Sequence, residues 1–268
     1  MSGRCPAGGY GVTSGSATLQ LIRPDWPAPA NVLAAVTTRA NGGSGGVYDG
    51  LSAASHVGDN PADMEEILEL LPATMTGMKA IQWLHQVHGK EVITAQHGAA
   101  RVTADGAVTG ERGLACAVLT ADCLPVLFAD TNGTAVGIAH AGWRGLAAGI
   151  LENLVAQIPV PASQLLAWLG PAIGPCHFEI GPEVQHVLLQ SLSEPYRSRS
   201  LDGFRPGVRG DRLFADLYRL ARIRLESAGV HAIYGGSLCT YCDNQRFYSY
   251  RRDGTAGRMV SLIYIKPE

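Results

Sequence analysis

The feature that most constrains the fold is a long apolar run, residues 114–128, interrupted in its middle by Asp122, Cys123 and Pro125. An Asn132-Gly133 pair follows, with the turn chemistry that joins antiparallel strands, and a second apolar stretch returns to His140. Strand, turn and returning strand would bring Cys123 and His140 to one end of a sheet although they are distant in sequence. A buried carboxylate costs several kcal/mol unless it is paired or hydrogen-bonded, so Asp122 in such a run demands a partner. Cys123 and His140 are together the soft donors that zinc accepts.

The chain has 268 residues, enough to bury a core as one large domain or two small ones. Its net charge of −2 offers no electrostatic footprint for nucleic acid or an anionic membrane. No apolar stretch reaches the roughly 18 residues that a membrane-spanning helix needs. Gly and Ser crowd the first residues without an apolar signal core, so a disordered lead over 1–17 is expected before a single catalytic domain, 18–268. Six cysteines in a chain this long do not make a disulfide framework, and the expected compartment is the cytoplasm.

Short strands are expected at residues 19–22, 32–38, 80–84 and 91–95. Between the second and third lies a glycine-dense loop, Gly42 to Gly46, and then His56 to Pro61 leading into a helix. That helix would present Met64, Ile67, Leu68 and Leu71 on one face, with Asp59 or Asn60 as its cap. Residues 98–109 read as a polar loop around Asp105. Beyond His140, Gly142-Trp143-Arg144-Gly145 leads into a helix with Leu146, Ile150, Leu154 and Ile158 on one stripe, closed by Pro159. A glycine-flanked helix start beside an arginine favours an anion such as phosphate. A strand at 165–169 precedes a helix from about Pro182 with Val184, Val187, Leu188 and Leu192 inward. Residues 193–210 read as an exposed loop, and Asp211 as the cap of a helix carrying Leu213, Leu217, Leu220, Ala221 and Leu225. Strands at 231–234 and 258–265 end the chain, with an aromatic and basic segment at 247–254 between them.

Three donors share one property: His88, Cys123 and His140 each fall at the end of an expected strand next to Gly or Pro. A His₂Cys set with an open fourth position describes a catalytic zinc. The alternative is a small buried cysteine with two histidines satisfied in loops. Cys239-Thr240-Tyr241-Cys242, read together with His177 and Glu179, imitates a zinc deaminase signature. Leu238 stands where that signature wants Pro, and a helix-rich stretch separates its two halves, so that reading is set aside. No Gly-x-Ser-x-Gly elbow follows a strand, which argues against a serine hydrolase.

Several motifs in order resemble the YfiH/laccase-domain family, described variously as multicopper polyphenol oxidase, purine nucleoside phosphorylase and peptidoglycan editing factor. They are Thr37-Thr38-Arg39 with the glycine loop, His56 to Asn60, Gln86 to Gly89, Thr120 to Pro125, His140 to Gly145, and Gly170 to Pro175. Phe247 to Asp253 and Thr255 to Arg258 complete the set, so the resemblance covers roughly residues 18–266. It departs in the glycine loop and at Leu51-Ser52, where the family often has an Asn-Leu pair. The resemblance implies an α/β (α+β) fold of mixed β-sheets packed together with flanking helices. It also implies zinc on His88, Cys123 and His140, with copper as the alternative metal. The implied activity is phosphorolysis of adenosine, inosine, guanosine and S-methyl-5′-thioadenosine, with adenosine deamination besides.

On that reading the partners are purine nucleosides and phosphate, and the protein is expected to be a monomer. Arg39 and Arg144 would grip phosphate bidentately, with His56 and Gln86 completing the substrate-binding set. Asp122 would orient a ligand or transfer a proton, or else make a structural hydrogen bond. Three rivals differ in class: a copper-dependent phenol oxidase, which would need more clustered histidines; a non-enzymatic protein whose zinc is structural, which would need a fourth protein ligand; and an amidase editing cell-wall precursors. The amidase would use Cys123 as nucleophile and His88 or His140 as base.

Overall fold

The break in the long apolar run is where the chain leaves one sheet for another. The computed structural model describes residues 19–39, 52 and 69–268. In chain order its strands begin with β1 (Leu21–Ile22), β2 (Val32–Thr37), β3 (Ala80–Gln82), β4 (Leu84–His85) and β5 (Val92–Thr94). They continue with β6 (Val102–Thr103), β7 (Gly106–Thr109), β8 (Leu114–Thr120), β9 (Leu124–Asp130), β10 (Val136–Ala141) and β11 (Leu165–Leu169). The last are β12 (Glu179–Ile180), β13 (Phe204–Pro206), β14 (Leu213–Ala215), β15 (Ala232–Gly235) and β16 (Met259–Ile265).

Two large sheets stack face to face. One has the order β1-β2-β16-β8-β3 and the other β15-β11-β9-β10-β7-β5. Each contains antiparallel and parallel pairs, so both are mixed. Val36, Cys116, Val118 and Ile263 from the first meet Leu127, Val136 and Ile138 from the second. The far face of the six-stranded sheet, including Val126 and Phe128, lies under Leu146, Ile150, Leu154, Leu217 and Leu220 from the helices. On the far face of the five-stranded sheet, Ala117, Leu119 and Leu262 pack with Leu71 and Met75. The central strands are therefore buried on both faces, which is why residues 114–128 show no polar alternation. Each fully buried leucine, such as Leu127, contributes about 2 kcal/mol. The mixed sheets and flanking helices are the architecture expected from sequence.

Five local expectations are corrected. Residues 98–109 hold strands β6 and β7 rather than one polar loop, and Asp105 between them is fully buried. Residues 193–210 carry a short helix, Tyr196–Ser200, and strand β13, whose three residues are too few to show a period. Leu213 belongs to β14, which pairs with β12 and β13; the helix that follows is Leu217–Ser227, capped by Asp216 and not Asp211. Val187 points outward at 43% exposure. The stripe from Leu146 to Leu154 is kept, but on two helices, Trp143–Ala148 and Ile150–Gln157, separated by Gly149 at φ 93°. The glycine loop after Ala40, His56 and the cap at Asp59 or Asn60 lie outside the described residues. No described helix is long and apolar enough to cross a membrane.

Candidate active site

Between β8 and β9 the chain crosses from one sheet to the other through Ala121-Asp122-Cys123. Asp122 takes φ 89°, a left-handed conformation that a non-glycine residue holds only when its surroundings impose it. The imposition is visible. The Asp122 carboxylate accepts from the Thr240 hydroxyl at 2.6 Å and from the Arg251 backbone N–H at 2.6 Å. Its carbonyl accepts from Ile173 N–H at 2.9 Å. The β9–β10 register sets His140 opposite Pro125 and Ala141 opposite Leu124, so Cys123, just before β9, arrives beside His140.

The third donor comes from the turn after β4. His88 also has a positive φ, 59°, and one buried carboxylate holds the whole turn. Asp105 Oδ2 accepts from Val87 N–H at 3.2 Å and from Gly89 N–H at 2.6 Å, while Oδ1 accepts from His88 N–H at 3.0 Å. Asp105 Oδ1 also lies 2.8 Å from His140 Nδ1, which leaves Nε2 as the ring atom available to a metal. Burial would raise the Asp105 pKa, but hydrogen bonds from His140 and the turn outweigh it and hold the carboxyl below its ordinary value. Sequence reasoning did not single out this residue, and left Asp122 to orient a ligand, transfer a proton or make a structural hydrogen bond. The signal was present but faint: a lone carboxylate in a stretch of Ala, Gly, Thr and Val that is otherwise free of charge from 102 to 110.

The donor set fits a zinc-class metal. One ligand atom each from His88, Cys123 and His140 lies within 4.8 Å of the others, and the two imidazole rings are 4.8 Å apart at 58°. Burial would push the Cys123 thiol up, yet the charge and hydrogen bonds of His140 and His88 bring it below its ordinary range, toward the thiolate a metal requires. Gly142 sits against the donors so closely that an added Cβ would come 2.9 Å from Cys123 Sγ and 3.0 Å from His88 Nδ1. Any side chain at Gly142 would therefore fill the space between the ligands.

The triad opens into a cavity of about 500 Å³, within the range of small-molecule sites. Trp143, Phe178 and Tyr250 are aromatic residues of its wall, and Arg101, Arg144, Arg251 and Arg258 also line it. Arg144 lies over the Trp143 ring at 4.3 Å. Gln86 lines the cavity, but its amide completes the edge of β8, donating to Leu119 O and accepting from Leu119 N–H. Arg39 is not in the lining: its guanidinium stacks 4.9 Å over Tyr248 and donates to Asn244 O. Its place as an arginine of the cavity wall is taken by Arg101, Arg251 and Arg258, which sequence reasoning did not single out.

The chain matches the family described as multi-copper polyphenol oxidoreductase laccase over residues 33–266. A Pseudomonas aeruginosa protein named as a purine nucleoside phosphorylase is 47% identical over 245 residues, covering 91% of this chain and 98% of that protein. The Escherichia coli purine nucleoside phosphorylase YfiH is 45% identical, covering 92% and 99%. Among solved structures, a Neisseria meningitidis protein superposes with TM-score 0.86 at 42% identity, covering 92% and 99%. YlmD from Geobacillus stearothermophilus gives TM-score 0.84 at 30% identity, covering 95% and 98%.

Proposed function

This chain belongs to the laccase-like YfiH family, and we propose that it is a zinc-dependent purine nucleoside phosphorylase. Its substrates on this reading are adenosine, inosine, guanosine and S-methyl-5′-thioadenosine, with deamination of adenosine as a second activity. The reading treats residues 18–268 as one cytoplasmic catalytic domain. The observation that carries it is the His88–Cys123–His140 donor set in the lining of a cavity that aromatic residues and four arginines also line. Relatives named as purine nucleoside phosphorylases support it.

His88, Cys123 and His140 would hold the metal, which would supply Lewis acidity in the cavity. The chain's own groups do the rest. Phe178, Trp143 and Tyr250 offer faces on which a purine stacks, and Arg144 offers a planar fork matched to phosphate oxygens. In phosphorolysis a phosphate oxygen attacks the ribose anomeric carbon, and the bond to the purine nitrogen breaks with its electron pair leaving on the base. Guanidinium groups stabilise phosphate beside that carbon, and enclosure by Ile173, Phe178 and Leu217 limits competition from water. Asp105 fixes the His140 ring through Nδ1 and so fixes the direction of its other nitrogen.

A phenol oxidase of the multicopper kind would need clustered histidines. Among the described residues, the close donor sets are this triad and His177 with Cys239 and Cys242. The test is phosphate-dependent release of adenine from adenosine, with zinc measured in the same protein. Release should require phosphate and fall on the order of 100-fold or more in Cys123→Ala together with the loss of bound zinc. Unchanged release in Cys123→Ala would overturn the reading. Zinc present without turnover of any nucleoside would favour the amidase or a structural zinc.

A further inference from the structure

The second donor set was set aside on sequence because a helix-rich stretch divides it, and the fold removes that objection. Loop 174–178 follows β11, the Cys239–Cys242 turn follows β15, and β11 and β15 are parallel neighbours. A bridge from Ala172 to Cys239 continues the pairing beyond the strands, with Thr240 N–H donating to Ala172 O at 3.0 Å. One ligand atom each from His177, Cys239 and Cys242 lies within 4.8 Å of the others.

We propose that His177, Cys239 and Cys242 form a second, structural zinc site, separate from the His88–Cys123–His140 set. Three features carry it. First, His177 Nδ1 lies 3.4 Å from Cys242 Sγ, close to the ~3.6 Å that separates a nitrogen and a sulfur on one tetrahedral zinc. Second, Cys239 Sγ accepts from Gly174 N–H at 3.2 Å, the outer-shell bond that steadies a metal-bound thiolate. Third, the His177 ring stacks on Tyr241 at 4.0 Å and 13°, which locks the imidazole before a metal arrives. Cys239 is buried and Cys242 exposed, so the site is reached from the surface while its inner ligand is anchored in the core. Cys176, next to His177 in sequence, lines the same surface cleft as His177.

The site would staple two loops that shape the catalytic cavity. Arg251 reaches from the cavity wall to donate to His177 O at 3.2 Å and to Glu179 O at 3.0 Å, and Phe178 between them lines the cavity. The inference does not depend on which reaction the first site performs.

Zinc is counted in protein reconstituted with zinc and passed through gel filtration, and cobalt substitution reads thiolate ligation from its near-ultraviolet charge-transfer band. Wild type should hold about two zinc ions per chain. Cys123→Ser should keep about one, and its cobalt form should keep the thiolate band, because the remaining ligands are Cys239 and Cys242. Adding Cys242→Ser, at an exposed position where folding is not at stake, should abolish both. A wild type that holds one zinc, lost in Cys123→Ser, overturns the proposal. So does a Cys123→Ser protein whose zinc and thiolate band survive Cys242→Ser. An isolated Cys239–Cys242 disulfide in protein purified without reductant, with no zinc taken up after reduction, would overturn it as well.

Discussion

Replacing Asp105 by Asn would leave the turn at residues 87–89 facing an amide in place of a carboxylate that accepts all three of its N–H groups. Charged hydrogen bonds of this kind contribute more than neutral ones, so the variant should lose about 3 kcal/mol and bind zinc at least ~10-fold more weakly. Denaturant melts and a chelator competition would measure the two effects separately. The acid side gives an independent readout. The Asp105 pKa is depressed in the fold, so its stabilisation is complete above the ordinary 3.8 and is lost as pH falls through the lower folded value. The melting temperature of wild type should therefore fall more steeply below about pH 4 than that of Asp105→Asn. Gly142→Ala probes the opposite kind of constraint. Its φ of −60° and ψ of 159° suit alanine, so the backbone is not strained, but the new Cβ would meet Cys123 Sγ and His88 Nδ1. Zinc affinity should drop at least ~10-fold while stability changes by about 1 kcal/mol. Cys123 and His140 were legible from sequence because a strand, a turn and a strand fix their register. Asp105 was not, because its partners are backbone amides of a turn that no side-chain pattern announces.

At the scale of elements, the structure separates segments that carry a period from those too short to have one. Strands β8, β9 and β10 were readable because each is long and apolar. β13 and β14 have three residues each, and one of the β14 residues, Leu213, coincided with the helical spacing of Leu217 and Leu220. The true helix start is marked instead by Asp216, whose side chain accepts from Arg219 N–H at 3.0 Å. Asp216→Ala should cost about 1 kcal/mol in thermal stability, and Asp211→Ala almost nothing. The same comparison tests the corrected boundary directly. Gly149 shows a different limit: its left-handed φ ends one helix and begins another without disturbing the apolar stripe, so no pattern of hydrophobic spacing reveals the break.

At the scale of the molecule, two stacked mixed sheets explain both the unalternating strands and the position of the cavity. The chain crosses between the sheets at residues 121–123, so the loop that carries Cys123 stands at the ends of strands β8 and β9 and not inside either sheet. The cavity draws its wall from segments scattered between Leu84 and Arg258. That scatter is why Arg101, Arg251 and Arg258 could not be assigned from sequence, since only the sheet order brings them together. Arg144→Ala should raise the phosphate KM several-fold with little change in melting temperature, as expected for an exposed group that stacks on the Trp143 ring. Steady-state kinetics at varied phosphate would check it.

The candidate donors His88, Cys123 and His140 come from a turn, a sheet-to-sheet crossing and a strand end, and no two of them are neighbours in sequence. A metal can be gripped by all three only after the sheets have stacked, which places its binding late in folding. Chelating the metal should therefore raise the unfolding rate and leave the refolding rate nearly unchanged, as stopped-flow chevrons with and without chelator would show. The ion would then govern how long the native state lasts, and not how fast it forms.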